Sequence, residues 1–325
     1  MKRLCCLLLM MLLPLTALAL SGPGGEELPD APLWQAKIRM DTRLRKVKDM
    51  DSRDWLGKVP EDALLDVYAV AVDWCICGYG GEIGYIPYDR LYQFYRLTDA
   101  PLPGYTVLDG VATITQEAFL AVEGYAGNTL AVGDQLCVCK TGLVPMMHDQ
   151  AQLAADAYTF EPFVRPEEAR PGDALCGYTT FYNDSLGGKL PANRAFNIDL
   201  AVARLQGAVI APGETFSFNQ YCAPYTQANG YKKAKNISNS GYGYGGGVCQ
   251  VSTTLFNAIQ IIDVALEQWY IHSYWGVAYV PRTLDAAVSS ARDFSFVNQT
   301  GVPLEIQAMA QNGVLTVILR HGGKK

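Results

Sequence analysis

The apolar residues of this 325-residue chain change their spacing several times, and each change marks a different kind of element. Leu4 to Leu15 is a nearly unbroken apolar run behind Lys2 and Arg3, and Ala17-Leu-Ala19 closes it with a small-x-small step. Those are the three regions of a secretory signal, and the run is too short for a comfortable bilayer span. Residues 1–21 are therefore expected to be a signal peptide, with an uncleaved anchor as the alternative. The Gly/Pro/acid-rich stretch 22–37 is expected to be a linker. From Ile38 to Tyr95 the pattern becomes partly alternating. The run Leu65 to Cys77 partly alternates, as strands do, Gly78 to Gly81 is expected to make a turn, and Glu82 to Pro87 a returning strand. The words Asp134-Gln-Leu-Cys-Val-Cys through Pro145 echo Asp73-Trp-Cys-Ile-Cys through Pro87, which predicts a second copy of the unit at 104–148. A further linker is expected at 149–171.

In the second half the period turns helical. Ile198, Ala201, Val202 and Leu205 form one stripe, with Asn193 or Asn197 as a good N-cap. Val251, Leu255, Ala258, Ile259 and Ile262 form another, the pattern of an amphipathic helix. Pro212-Gly213 predicts a turn before a short strand at 215–218. Strands at 293–297, 303–308 and 314–319 follow, joined by Asn-Gln-Thr-Gly and Gln-Asn-Gly turns. The expected architecture is multidomain: two small all-β barrels, then an α+β domain at about 172–322.

Composition narrows the function classes. Half the residues are hydrophobic and 18% are charged, as in a folded protein. The net charge of −6 and the absence of a basic stripe argue against nucleic-acid partners. Cys75 with Cys77, and Cys137 with Cys139, each place two thiols on one strand face. Zinc knuckles space their ligands more widely, so disulfides between the units or buried single cysteines are expected, and no metal. Cys176 and Cys222 are a further candidate pair, and Cys249 is expected to be free.

Cys249 is placed for chemistry. It follows the glycine-rich stretch Gly241 to Gly247 and falls in the first turn of the second helix. Unpaired N–H groups there favour a thiolate. An ordinary thiol of pKa ~8.5 is only about 3% ionised at pH 7, and half-ionisation requires about 2 kcal/mol. A helix end supplies ~0.3–1 kcal/mol, so a reactive thiol needs a second group. His272, in the strand-like run Ala265 to Trp275, is the candidate base, and Asp285 the candidate acid that orients it. The competing reading makes Cys249 a small buried residue at a tight contact, with His272 bonded to backbone. Gly241, Gly243 and Gly246 also spell G-x-G-x-x-G. The polar stretch Lys232 to Ser240 stands where a dinucleotide site needs a buried strand, so no dinucleotide and no other cofactor is expected.

The segment from about Cys176 to His321 resembles the VanW domain, a family named after an accessory protein of a vancomycin-resistance cluster. The matching words are Asn193-Arg194, Asn197-Ile198, Ala211-Pro-Gly-Glu-Thr-Phe-Ser-Phe-Asn219 and Asn229-Gly-Tyr-Lys232. They continue with Gly245-Gly-Gly-Val-Cys-Gln-Val-Ser-Thr-Thr254, His272-Ser-Tyr274, Tyr279-Val-Pro281 and Asp285-Ala-Ala-Val288. One departure is Pro281-Arg-Thr-Leu-Asp285, where the family usually has a glycine shortly before the aspartate. The unit 38–95 is similar to bacterial SH3-like domains, with Cys77 in the place of a usual valine, and 104–148 is a candidate second SH3-like module. The resemblance implies an exported cell-envelope protein whose partner is peptidoglycan or cell-wall peptide. Gly246, Gly247, Gln250, Thr253 and Tyr274 are the substrate-binding candidates around the catalytic candidates Cys249, His272 and Asp285. Two functions follow: a peptidoglycan-associated accessory or binding factor, or a cysteine peptidase or transpeptidase acting on the same material. Trp74, Tyr79, Tyr85, Tyr88 and Tyr92 are candidates for a ligand groove or for simple core.

Overall fold

In the computed structural model the described residues are 20–70, 73–97, 105–122, 125–146, 150–182, 189–236, 241–272, 277–281 and 284–323. All but two positions of the expected signal peptide, and Tyr274, lie outside them.

Seven strands open the described chain: β1 Trp34–Ile38, β2 Thr42–Arg45, β3 Trp55–Val59, β4 Leu64–Ala69, β5 Trp74–Tyr79, β6 Glu82–Pro87 and β7 Leu91–Arg96. The predicted turn between β5 and β6 forms at Gly80 and Gly81, whose φ of +62° and +85° a side chain would rarely adopt. The expected small barrel does not close. The strands run in the open order β7-β1-β4-β5-β6-β2-β3, and the free edge of β7 is taken by the strand Val264–Gln268 from far along the chain. With Ser295–Asn298 and Thr215–Ser217 added beyond it, the result is one ten-stranded sheet. β1 itself begins at Trp34, inside the stretch expected to be a linker.

The echoing unit is likewise no closed barrel. Gly110–Ile114, Gln135–Val138 and Tyr158–Pro162 form a three-stranded sheet beside two hairpins. Tyr158–Pro162, from the second expected linker, pairs in register along Gly110–Ile114, with Tyr158 and Phe160 against that unit's core. The cysteine pairs end in different sheets, and all seven described cysteines are free. Neither the disulfides considered for the two Cys-x-Cys words nor a Cys176–Cys222 bridge is formed.

The C-terminal part has a four-stranded antiparallel sheet, ordered Ala174–Phe181, Val314–His321, Leu304–Gln311, Val209–Ile210. Helices α1 (Lys189–Leu205) and α3 (Val248–Ala258) lie on it, with the short helix α2 (Phe218–Cys222) beside α1. α1 starts before the expected caps. Asn193 and Asn197 point sideways from it instead, donating to the carbonyls of Lys233 and Lys232, and Asn197 also reaches Gly246.

α3 is the structural centre, and it is not the surface amphipathic helix its stripe predicts. Every residue from Gln250 to Ala258 is buried. Most of its polar groups bond inside the protein, as burial demands, the side-chain carbonyl oxygen of Asn257 being an exception. Thr254 shares a hydrogen bond with Thr180 on the sheet side at 2.7 Å. On the other side Ser252 donates to Ala286 O at 2.7 Å, and Asn257 donates to Leu284 O at 2.6 Å.

Front and back of the chain meet at Trp269. Its ring stacks on Phe256 of α3 at 4.9 Å and on Trp34 of β1 at 5.8 Å, and Tyr88 donates a hydrogen bond to its carbonyl at 3.0 Å. Both tryptophans are buried, so truncating either to alanine is expected to cost about 3–5 kcal/mol. Because the rings touch, the double variant should fall short of the sum by roughly 1 kcal/mol. Urea unfolding of Trp34→Ala, Trp269→Ala and the pair checks this, and strict additivity would count against the packing of the front strands on the C-terminal part.

Candidate active site

Three stretches far apart in sequence converge at the start of α3, and the segment 284–288 holds them together. It lies between α3 and residues 269–272. Toward α3, Ser252 and Asn257 bind its carbonyls, and Ala286 N donates to Thr253 Oγ1 at 2.9 Å. Toward the other side, Trp269 Nε1 donates to Asp285 O at 2.9 Å and Ala287 N donates to Tyr270 O at 2.6 Å. The segment is thereby fixed on both flanks, and with it the Asp285 side chain. Before Asp285, Leu284 N donates to Pro281 O at 3.2 Å.

Asp285 is buried, and its Oδ2 accepts from His272 N and pairs with His272 Nδ1, each at 2.6 Å. With Nδ1 engaged by Asp285, the imidazole lines the same cleft as the Cys249 thiol. Cys249 Sγ also lies 3.4 Å from Val288 O. The catalytic candidates Cys249, His272 and Asp285 are thus brought together in the order thiol, imidazole, carboxylate. Burial works against a charged His272. The bonds to Asp285 and Cys249 and their negative charge outweigh it, and the pKa of the ring rises from 6.5 to about 9.

Cys249 sits in the first turn of α3, after Gly247, whose φ of +108° makes the left-handed bend that starts the helix. Of the described residues of α3 it is the one that is not fully buried. It opens, with His272, into a cleft of about 400 Å³ rimmed by Tyr225, Tyr244, Ser289 and Arg292.

The substrate-binding candidates fare differently. Gln250 faces inward: its amide donates to Thr180 Oγ1 and Phe181 O, and Arg194 donates to its carbonyl oxygen at 2.6 Å. Thr253 is buried, its Oγ1 accepting from Ala286 N. At Gly246 a Cβ would stand 2.5 Å from Lys235 O, and at Gly247 one would stand 2.9 Å from Arg194 Cγ. These four residues build the contacts that seat α3 rather than the wall of the cleft, because the helix is enclosed on every side but one. Tyr274 lies outside the described residues.

Several cleft residues carried no signal in the periodicity. The turn 289–292 is pinned by Asn219, whose Nδ2 donates to Ser289 O and Arg292 O, while Asp293 accepts from Ser217 Oγ and Asn219 N. That explains the Ser217-Phe-Asn219 word as a brace for the rim. Arg194 and Tyr279, also within matching words, lie behind the site, and Arg194 holds Gln250. Tyr225, Ser289 and Arg292 were legible only after folding.

Comparison with known proteins places this site. The family described as VanW like protein matches residues 193–320. The Bacillus subtilis (strain 168) protein named Uncharacterized protein YoaR is 39% identical over 145 residues, covering 44% of this chain and 46% of that protein. Vancomycin B-type resistance protein VanW of Enterococcus faecalis (strain ATCC 700802 / V583) is 39% identical over 66 residues, covering 20% of this chain and 24% of that protein. The chain thus spans less than half the length of the curated relatives it matches. No solved structure matches. Over residues 193–320, a stretch that contains the thiol, the imidazole and the carboxylate, the chain is VanW-like.

Proposed function

We propose that the protein is a thiol acyl transferase, a cysteine peptidase or transpeptidase, that acts on cell-wall peptide outside the cytoplasm. The observation that carries this reading is the convergence of Cys249 and His272 on one cleft, with His272 Nδ1 held at 2.6 Å by the buried Asp285. A purely structural cysteine has no use for a base oriented by a buried carboxylate, and a binding factor needs none either. The geometry therefore favours the enzyme over the accessory binding role. Export rests on the signal-like pattern of residues 1–21, and the cell-wall substrate on the relatives' association with vancomycin resistance by name.

The chemistry follows from the order of the groups. His272 holds the proton given up by Cys249 Sγ, and the thiolate, placed at the positive end of α3, attacks the carbonyl carbon of a substrate peptide bond. As the C–N bond breaks, His272 returns the proton to the leaving amine, and a thioester to Cys249 remains. An acceptor amine or water then attacks the thioester while His272 removes its proton, and the thiol is released. Asp285 keeps the ring in the tautomer and orientation that both steps require.

Three outcomes are expected. Incubated with cell-wall fragments, the wild type changes the peptide products seen by mass spectrometry, and Cys249→Ser does not; product changes that persist in Cys249→Ser would remove the thiol from the mechanism. Cys249 should alkylate in the native protein at pH 6–7, and His272→Ala should slow this roughly tenfold, the equivalent of ~1.4 kcal/mol. A thiol that reacts only as fast as the protein unfolds would end the enzymatic reading. Finally, a folded-state pKa raised to about 9 means that the His272 pair stabilises the fold fully below pH 6.5 and loses that effect as pH rises through 9. The stability gap between wild type and His272→Gln should therefore shrink over pH 6.5–9, by at most about 3 kcal/mol. Urea unfolding across that range measures it, and a gap that grows with pH would contradict the pairing.

A further inference from the structure

A second cleft, of about 770 Å³, opens beside the first, and His272 and Arg292 line both. Its far wall comes from the front strands, with Arg39, Trp74, Tyr88 and Arg90 facing Tyr270. Where the two clefts meet, two guanidinium groups converge on one ring. Arg39 Nη2 donates to the Tyr270 hydroxyl at 3.4 Å, and Arg292 lies over the ring face, 5.6 Å from its centre. Of the acidic groups nearby, Asp89 is engaged by Arg90 at 3.5 Å, Asp73 stands on the far wall, and Asp285 is buried behind His272. Among the described residues Arg292 makes no ion pair with a carboxylate. Its position is nevertheless set, since Asn219 and Asp293 pin the turn that carries it.

We propose that Arg292 binds a carboxylate of the peptide substrate, so that the chain acylated at Cys249 continues into the cleft walled by the front strands. This rests on the thiol acyl-transfer reading. A guanidinium offers a planar pair of N–H donors matched to a carboxylate. The substrate class is accordingly a peptide with a free carboxylate close to the bond that is cut. The front strands then form part of the substrate site and are not a separate wall-binding module.

The test uses two thiol reagents of nearly equal size on the full chain, anionic iodoacetate and neutral iodoacetamide, with site-resolved mass spectrometry. Cys139, partly exposed and remote on the three-stranded unit, is the internal control. The iodoacetate-to-iodoacetamide rate ratio at Cys249 should exceed that at Cys139. Arg292→Gln should lower it about threefold, as expected for loss of one charge in a shared solvated cleft, while Arg292→Lys keeps it within about twofold. In the wild type the same ratio should fall as salt rises from ~0.02 to ~0.5 M, a measurement that needs no variant to fold. Rapid alkylation with a ratio that neither Arg292→Gln nor salt changes would overturn the subsite and leave the thiol reading standing. A native Cys249 that reacts with neither reagent would overturn both.

Discussion

The indole of Trp269 carries the constraint on which the site depends. Its N–H is bonded to the carbonyl of Asp285, and its ring is clamped between Phe256 of the central helix and Trp34 of the first strand. A buried carbonyl without a donor costs about 1–3 kcal/mol, so the indole and the 284–288 segment hold each other in place. Once that segment is seated, the Asp285 carboxylate can take only the place beside His272. The aromatic packing that joins the front strands to the C-terminal part and the bond that orients the acid therefore belong to one residue.

Around it, the protein tolerates an ionisable pair in a buried setting. Desolvation of Asp285 and His272 is opposed by two short bonds to one carboxylate oxygen and by the neighbouring thiol. Ionisable groups shifted as His272 is gather at functional sites, because the same burial that makes them costly makes their proton transfers tunable. The other thiols show the contrast. Burial pushes Cys77 and Cys176 well above the ordinary range, with no imidazole beside them, and they serve as small core residues.

The enclosure of the central helix accounts for its mixed composition. Gln250, Ser252, Thr253, Thr254 and Asn257 would be solvent-facing on a surface helix. Here they are the ties to the sheet on one side and to 284–288 on the other. Only the N-terminal turn remains open, and Cys249 occupies it. The cleft in front of that turn is bounded by residues from both halves of the chain, since Arg39, Tyr88 and Arg90 stand across from Tyr270 and Arg292.

How much was legible beforehand divides along physical lines. Local rules sufficed for the glycine turn at Gly80–Gly81, for the strands at the C-terminus, and for the existence of α1 and α3, because periodicity and turn chemistry act between near neighbours. The thiol at a helix start, the need for a second group, and His272 and Asp285 as its partners were also legible, the last two from residue type and the family's words. Sheet membership was not. That β7 would join Val264–Gln268 rather than close a barrel depends on which edge is offered by a strand about 170 residues away, and no local pattern encodes that. Nor could the stripe on α3 reveal that its polar face would also be buried, since Gln250 and Thr253 read alike whether they bond to a ligand or to protein backbone. The roles of Trp269, Asn219 and Arg292 depend wholly on partners distant in sequence, so for them the tertiary structure alone decided.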